Sequence, residues 1–306
     1  MCRLISQGNK PKQQGIALIA VLWVVVMLSV IAGSFSLSMR TELQVSNNEV
    51  HQAKATGILR AALSRLKYEL SKPPQSQSWT KDGSPIIWPF AGAAVIISLQ
   101  DARGLVDLNQ ADKALLLKLF AAIQVEEEDG RKLADTIIDY RDNNKFSQLN
   151  GAEDSDYDSA GLPYRSKDAL FEAEEEVRLV LGMSHEVYKK LLPFVTVHSD
   201  EKNIVPELAP EVLLKKLSGL DPARVDEILQ QRIDRATGEA QATDASQQNG
   251  QAYHARFQVQ FANKQTYTAE AVLEQGGFGV VPYHVVAWKP GVVLTDLLDA
   301  NRPEPE

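Results

Sequence analysis

The sequence predicts an α+β fold that begins with one long helix. Three observations lead to this prediction: an uncharged apolar run at residues 16–33, helix-period patterns across residues 110–230, and strand-like segments after residue 250. Apolar residues spaced three and four apart indicate helices, whereas β-branched runs bounded by turn residues indicate strands. With 306 residues, 44% of them apolar, the chain is long enough to bury at least one full core.

The first helix is predicted to run from Ile16 to about Ser71. Residues 16–33 are 18 consecutive uncharged residues, enough to span a bilayer core as a helix that rises about 1.5 Å per residue. Residues 40–70 contain no proline and continue the helical pattern. The first part is therefore predicted to lie in lipid and the second to present one apolar face to a domain. That face consists of Leu59, Ala62, Leu63, Leu66 and Leu70.

Charge before the apolar run predicts its orientation. Arg3, Lys10 and Lys12 precede it, with no acidic residue among them. Because positive charge favours the cytoplasmic side, the N-terminus is predicted to lie in the cytoplasm and the remainder on the far side of the membrane. A cleaved secretory signal with a site at residues 32–34 is the alternative, although this apolar run is longer than such signals have.

The junction before the apolar run points to a specific processing event. Lys10-Pro11-Lys12-Gln13-Gln14-Gly15, followed by Ile16, resembles the leader of type IV pilin-like precursors. The resemblance implies that prepilin peptidase cuts after Gly15 and methylates Ile16 as the new N-terminus.

One position departs from the pilin pattern. Pilins carry glutamate at the fifth mature position, which is Ala20 in this chain. A carboxylate buried in a packed filament is costly unless it is paired with a neighbour's N-terminal amine. A subunit without it need not dock onto a subunit further out, which fits a position at the tip.

Motifs in the remainder of the chain resemble one family of such proteins. In order they are Asp101-Ala-Arg-Gly-Leu-Val-Asp-Leu-Asn109, Ile138-Asp-Tyr-Arg-Asp142, Gly151-Ala-Glu-Asp154, Pro163-Tyr-Arg165, Glu175-Glu-Val-Arg-Leu-Val-Leu-Gly182 and Leu191-Leu-Pro-Phe-Val-Thr-Val197. As an ordered set they are similar to the minor pseudopilin K family of the type II secretion system, also called general secretion pathway protein K. Together with the missing glutamate, the set is specific.

This resemblance implies a function and partners. The chain would be a non-enzymatic, single-pass protein of the inner membrane with its C-terminal domain in the periplasm. It would stand at the tip of the periplasmic pseudopilus and help initiate assembly and export of folded proteins across the outer membrane. Its implied partners are other minor pseudopilins, the major pseudopilin, prepilin peptidase and the inner-membrane platform of the system.

The resemblance also implies the domain organisation. A type IV pilin-like fold, with its long N-terminal helix packed on a small antiparallel sheet, would be interrupted by a large all-helical insertion domain. The expected parts are the leader at 1–15, the transmembrane helix at 16–37, the first pilin-like part at 38–109, the insertion at 110–235 and the second pilin-like part at 236–306.

Periodicity and turn residues place the individual elements. Pro73, Pro74, Gly83, Pro85 and Pro89 predict a turn-rich link after the first helix, and residues 236–251, which lack large apolar groups, predict a mobile loop. Helices are predicted at 111–123, 127–140, 172–180, 185–192, 210–217 and 222–234, and strands at 94–99, 253–261, 265–274 and 283–288.

A dense acidic stretch is the candidate metal site. Glu153, Asp154, Asp156 and Asp158 place four carboxylates within six residues. Because these charges repel one another, a hard divalent cation with oxygen ligands would neutralise them. From the residues alone, a solvated acidic loop is the favoured interpretation over a metal site.

The spacing of these acids resembles the opening of an EF-hand loop but does not complete it. The sixth loop position is Ser159 instead of glycine, and the twelfth is Arg165 instead of glutamate. The family resemblance implies calcium binding in the helical domain. The calcium-binding role is therefore carried to the four acids, with Asp139 and Asp142 in reserve.

Other function classes find little support. Residues 177–192 and 217–229 resemble helix-hairpin-helix DNA binders, but removal of the leader leaves 29 basic against 40 acidic residues, a net charge of −11 that disfavours nucleic acid. Known hydrolase and phosphate-loop motifs are absent from the sequence. The remaining alternative is a membrane-tethered periplasmic binding module that never joins a filament.

Overall fold

A computed structural model describes residues 14–236, 249–276 and 282–291. The chain divides into two compact units, residues 1–56 and 57–306. Leader residues 1–13, most of the loop predicted at 236–251 and the tail after residue 291 lie outside the described residues.

The long N-terminal helix is present as α1 (Gln14–Ser71). In the first unit its large apolar side chains are exposed, from Leu18 to Val50. In the second unit the predicted apolar face is buried, with Leu66 fully inaccessible and Leu63 half-buried. The division between an exposed apolar part and a one-faced amphipathic part is thus confirmed.

Within the described residues, five antiparallel strands form the main sheet. In spatial order they are β1 (Asp82–Phe90), β2 (Ala93–Asp101), β5 (Ala252–Phe261), β6 (Thr266–Gln275) and β7 (Tyr283–Pro290). The neighbours β2 and β5 are separated by the whole helical part of the chain. Every residue of β2 except Ala94 is buried, so both faces of this strand are covered, which explains why its sequence shows no polar–apolar alternation.

Strand β1 corrects the predicted turn-rich link. Residues 82–90 pair with β2 even though they contain Pro85 and Pro89. Proline cannot donate to a ladder, so it is tolerated mainly on edge strands and at bulges. Strand β1 is an edge strand, and its register shifts between Asp82 and Pro85, where Gly83 has a φ of +83°. The link is therefore limited to the residues between α1 and β1.

The chain between β2 and β5 carries most of the remaining helices. They are α2 (Lys113–Ala122), α3 (Glu127–Arg141), α4 (Asp154–Ser159), α5 (His185–Leu191), α6 (Glu211–Leu217) and α7 (Pro222–Ala236). Helix α2 packs against α3 and α6. A separate core forms here around Leu116, Phe120, Ile137, Tyr140 and Tyr157.

Three local predictions for this part are wrong. The predicted insertion at 110–235 is not all-helical, because it contains β4 (Val195–Thr196), which forms a parallel pair with β3 (Val106–Asp107) just before it. The predicted α-helix at 172–180 is a 3₁₀-helix at Glu174–Leu179. The acidic stretch forms the short helix α4 and not only a loop. Pairing between β3 and β4 joins residues almost ninety positions apart, which local patterns cannot reveal.

The predicted α+β class, with a long first helix, an antiparallel sheet and further helices, is confirmed. The predicted domain limits stay a prediction.

Candidate functional site

Helix α1 provides the first functional feature. Within the described residues, one helix is long and apolar enough to cross a membrane, with a mean hydropathy of 2.6 over its best 18-residue window. No part of that window is buried in the protein. Gly15 and Ile16 lie at the start of this helix, and the exposed Ala20 follows one turn later.

The second feature is a carboxylate cluster that begins on α3. Asp135 and Asp139 are spaced one turn apart and are both fully buried. The chain after α3 returns over them: the Gln148 N–H donates to Asp139 Oδ2 at 3.0 Å, and the Asn150 N–H and side-chain amide donate to Asp135 Oδ2 at 3.2 and 3.0 Å. Lys113 Nζ lies 2.6 Å from Asp135 Oδ1. Asp135 is therefore neutralised by a cation, whereas Asp139 is held by backbone N–H donors.

Glycine at position 151 allows this close return. A Cβ built on Gly151 would overlap the Oδ2 atom of Asp139. Any other residue would push the returning chain away from the carboxylate. The loop and the buried acid are thus fitted to each other.

Two of the sequence-predicted acids join this cluster. Glu153 is buried, and both its carboxylate oxygens lack a hydrogen-bond partner within the described residues. Asp154 Oδ1 is buried and unpartnered in the same way. Lys145 Nζ lies 3.2 Å from Asp154 Oδ2 and also binds Asp168. The cluster therefore holds more carboxylate oxygens than Lys113 and Lys145 satisfy.

Asp168 is a member of the cluster that sequence reasoning missed. Its Oδ1 is buried without a hydrogen-bond partner among the described residues, and its backbone adopts the left-handed conformation with a φ of 53°. Aspartate tolerates this conformation better than most residues. Asp168 lies 14 residues after Asp154 in a segment without acidic repetition, so no local pattern could have identified it.

The other predicted acids have different surroundings. Asp156 is exposed and accepts a hydrogen bond at 2.9 Å from the backbone N–H of Glu153. Asp158 is exposed and pairs with Arg165, with 3.0 Å between Oδ2 and the guanidinium. The reserve residue Asp142 accepts from Asn144 at 3.0 Å. The structure therefore groups Glu153 and Asp154 with Asp139 and Asp168, while Asp156 and Asp158 have their own partners.

Electrostatics in the cluster favour an added cation. Burial raises the pKa of Asp139 to about 6, and the nearby Asp142 and Asp135 add to the rise. Burial also raises the pKa of Glu153, with Asp139 and Asp168 as further causes. Both shifts show that negative charge is poorly compensated here.

The donor set fits a hard divalent cation. Calcium binds six to eight oxygens from carboxylates, carbonyls and water, and orphaned carboxylate oxygens on Glu153, Asp154 and Asp168 are such donors. As the side chains stand, no three Asp, Glu, His or Cys residues in the described part of the chain form a closed metal site. Lys145 supplies positive charge in their midst, and its flexible side chain could withdraw when a metal ion enters.

Comparison with known proteins points to one secretion component. The family model described as type II secretion system (T2SS), protein K, matches residues 96–200. A Type II secretion system protein K from Pseudomonas aeruginosa is 26% identical over 242 residues, covering 72% of this chain and 72% of that protein. One from Pectobacterium carotovorum is 26% identical over 212 residues, covering 61% of this chain and 63% of that protein. The chain therefore aligns with roughly two thirds of the length of these relatives.

A solved structure shares the fold. A chain from the GspK-GspI-GspJ complex of the enterotoxigenic Escherichia coli Type 2 Secretion System matches with a TM-score of 0.52 and 18% identity. The match covers 79% of this chain and 98% of that chain. The resemblance inferred from sequence is confirmed, and the apolar part of α1 fits a single-pass membrane anchor.

Proposed function

We propose that the chain is a minor pseudopilin of the type II secretion system protein K family, on the strength of the matches to the family model and to relatives of that name, and from this premise we propose how it is processed and where it acts. Prepilin peptidase cuts after Gly15 and methylates Ile16. The mature chain then takes its place at the tip of the periplasmic pseudopilus, where it helps to initiate assembly and export of folded proteins across the outer membrane. Its role is structural and not enzymatic.

Helix α1 is the observation that carries this proposal. It begins at Gln14, so the proposed cleavage site lies at the start of an apolar helix. Because residue 20 is alanine, the mature helix lacks the carboxylate with which a pilin subunit would pair to its outward neighbour. A subunit that has no outward pairing group is suited to the end of a filament.

Partners and orientation follow from the same premise. The solved relative is part of a complex named GspK-GspI-GspJ, and we extend that kind of assembly with other minor pseudopilins to this chain. The major pseudopilin and the inner-membrane platform complete the set of proposed partners. Cationic residues Arg3, Lys10 and Lys12 favour a cytoplasmic N-terminus. The two pilin-like parts, residues 38–109 and 236–306, and the insertion between them, residues 110–235, would then lie in the periplasm.

Calcium binding forms the second part of the proposal. Glu153 and Asp154 retain the role predicted from sequence, and Asp168 is added because its buried oxygen is also unpartnered among the described residues. Asp156 and Asp158 stay in the predicted set as residues that would have to exchange their present partners. A bound ion would offset the repulsion between buried carboxylates and hold the chain from 142 to 168 against α3.

Mass spectrometry of the membrane-extracted protein tests the processing step. The protein is expressed with and without prepilin peptidase, and its intact mass and N-terminal sequence are determined. We expect a chain that starts at methylated Ile16 only when the peptidase is present. An uncut Met1 in both cases, or a cut near Ser34, would contradict the proposal and favour a tethered or soluble periplasmic protein.

Calorimetry with calcium tests the metal site. We expect the full-length protein in detergent to bind calcium, and Asp154→Asn and Asp168→Asn each to weaken binding at least tenfold, because each removes a charged ligand. Asp129→Asn is the matched control, since this exposed acid in the first turn of α3 lies outside the predicted set. If Asp158→Asn alone abolished binding, the ion would belong to the sequence-predicted set instead of the buried cluster.

A further inference from the structure

A second group of ionisable side chains lies where the helical part of the chain meets the main sheet. Glu174 and His198 come from the segment between β2 and β5, whereas His254 lies on β5 and Glu274 on β6. None of these residues belongs to the acidic cluster described above. Contacts of 2.6 to 3.7 Å connect the four side chains.

The buried carboxylate of Glu174 faces two imidazoles. Its Oε1 is buried and has no hydrogen-bond partner within the described residues. Nε2 of His198 lies 3.5 Å from this oxygen, and Nε2 of His254 lies 3.7 Å from it. In each histidine the Nε2 atom therefore lies close to Oε1 of Glu174.

These separations are close to those of a zinc site. Ligand atoms bonded to a tetrahedral zinc ion at about 2.0–2.1 Å lie about 3.3 Å from one another. The two measured separations exceed this by only a few tenths of an ångström. Since no closed three-ligand site exists among the described side chains, small side-chain rotations must bring the three atoms around an ion.

His198 has the hydrogen bond that metal-binding histidines need. Its Nδ1 lies 2.6 Å from Oε1 of Glu274. Because a carboxylate accepts, Nδ1 carries the proton, and in the neutral ring Nε2 presents its lone pair toward Glu174. Histidines that bind metals almost always donate their second N–H to a carboxylate or carbonyl, and this fixes the ring and raises its basicity.

The half-buried imidazole of His254 is positioned by a threonine hydroxyl. Its Nε2 lies 3.0 Å from Thr196 Oγ1. This hydroxyl oxygen also accepts a hydrogen bond from the backbone N–H of His198 at 3.2 Å. The threonine hydroxyl can therefore donate to Nε2, and a metal ion would take over that place.

We propose that Glu174, His198 and His254 bind one zinc ion that ties the helical part of the chain to the main sheet. Water completes the tetrahedron, and Glu274 acts as the positioning residue for His198. The ion gives the orphaned Glu174 oxygen a partner and compensates its buried charge. Zinc suits this site better than calcium because two of three protein ligands are imidazoles.

Calorimetry with zinc tests this proposal on the full-length, untagged protein in detergent, with calcium in excess to occupy the acidic cluster. We expect one zinc ion per chain, and His198→Gln to lower its affinity at least tenfold. Glu274→Gln is expected to lower affinity about 10–100-fold without abolishing binding, as loss of a supporting carboxylate does. His185→Gln, which changes an exposed histidine on α5, should bind zinc as the unchanged protein does.

A spectroscopic readout keeps the test decisive if the half-buried His254 cannot be replaced without unfolding. Co²⁺ in place of zinc should give the visible spectrum of a four-coordinate site in the unchanged protein and in His185→Gln, and lose it in His198→Gln. Absence of zinc binding, or equal binding by His198→Gln and His185→Gln, would overturn the proposal. The four residues would then be an ion-paired contact only.

Discussion

Gly151 is a residue whose missing side chain matters. Replacement with alanine would place a Cβ on the Asp139 carboxylate, so the chain after α3 must move or the buried acid must rotate. We expect Gly151→Ala to lower the free energy of unfolding by about 1–3 kcal/mol, as overpacking does. Urea unfolding of the full-length protein in detergent measures the change.

Gly57→Ala is the matched control for that substitution. Gly57 lies in the interior of α1, and a Cβ at this position would meet no atom within 4 Å among the described residues. Alanine should therefore stabilise the helix by about 0.5–1 kcal/mol. If both substitutions shifted the unfolding curve in the same direction, the close packing of Gly151 on Asp139 would be refuted.

Lys81 gives the protein a pH dependence in the alkaline range. This buried side chain has its Nζ 3.1 Å from Asn249 Oδ1, and burial lowers its pKa to about 8 although the nearby Asp101 carboxylate opposes the shift. The unfolded chain keeps this proton up to the ordinary value of 10.5. Unfolding therefore takes up a proton between these two values, and the stability that depends on Lys81 rises with pH across that window.

Lys81→Met tests this dependence because it removes the titrating group and keeps much of the length of the side chain. Relative to the variant, the unchanged protein should gain up to about 1.4 kcal/mol per pH unit between pH 8 and 10.5. Unfolding curves at several pH values provide the comparison. Parallel pH profiles for the two proteins would show that Lys81 has an ordinary pKa in the folded state.

Individual residues of the candidate metal site were only partly predictable from sequence. Glu153 and Asp154 could be identified because acids crowd together along the chain. The separation of Asp158 from these two acids could not be predicted, because that separation depends on whether Arg165 folds back to pair with Asp158. Asp168 joins the cluster with its backbone in a left-handed conformation, which its neighbouring residues in the sequence do not predict.

Among the elements, strand β1 shows how a sheet edge is protected. Pro85 and Pro89 are four residues apart, so they share one side of the edge strand and present no N–H to a further strand. We expect Pro85→Val/Pro89→Val to restore two donors and promote self-association through this edge. Analytical ultracentrifugation should show a larger species than the unchanged protein forms, and Pro74→Ala, which lies outside the strand, should sediment as the unchanged protein does.

The outcome that would contradict this role is a double variant that sediments as the unchanged protein does at every accessible concentration. The edge would then be covered by another part of the protein instead of being blocked by proline.

Predictability of the elements followed their length and periodicity. Helices α3 and α7 were predicted to within two residues at each end, because a 15-residue amphipathic pattern is difficult to misinterpret. Strand β1 was missed because its prolines and Gly83 are turn residues in local statistics, whereas their position at an edge is a property of the whole sheet. The two-residue strands β3 and β4 exist only through their mutual pairing.

At the scale of the whole molecule, the proposed position at the tip of the filament should depend on Ala20. Ala20→Glu would provide the carboxylate with which a pilin subunit pairs to its neighbour's N-terminal amine, so we expect the variant to enter positions below the tip. Cross-linking of assembled pseudopili, followed by a count of this chain per filament, measures the change. Ala20→Gln has similar size but no charge and serves as the control; equal counts for both variants would refute the electrostatic account.

The adjacency of β2 and β5 has a consequence for how this protein could be engineered. Asp101 at the end of β2 stands opposite Tyr253 at the start of β5, so the chain that leaves the sheet returns beside its own point of exit. A short hairpin turn between these strands would restore a continuous meander without the intervening 150 or so residues, since antiparallel neighbours need only a tight connection. The adjacent ends of β2 and β5 thus form an insertion site, at which a different domain could replace the helical part of the chain.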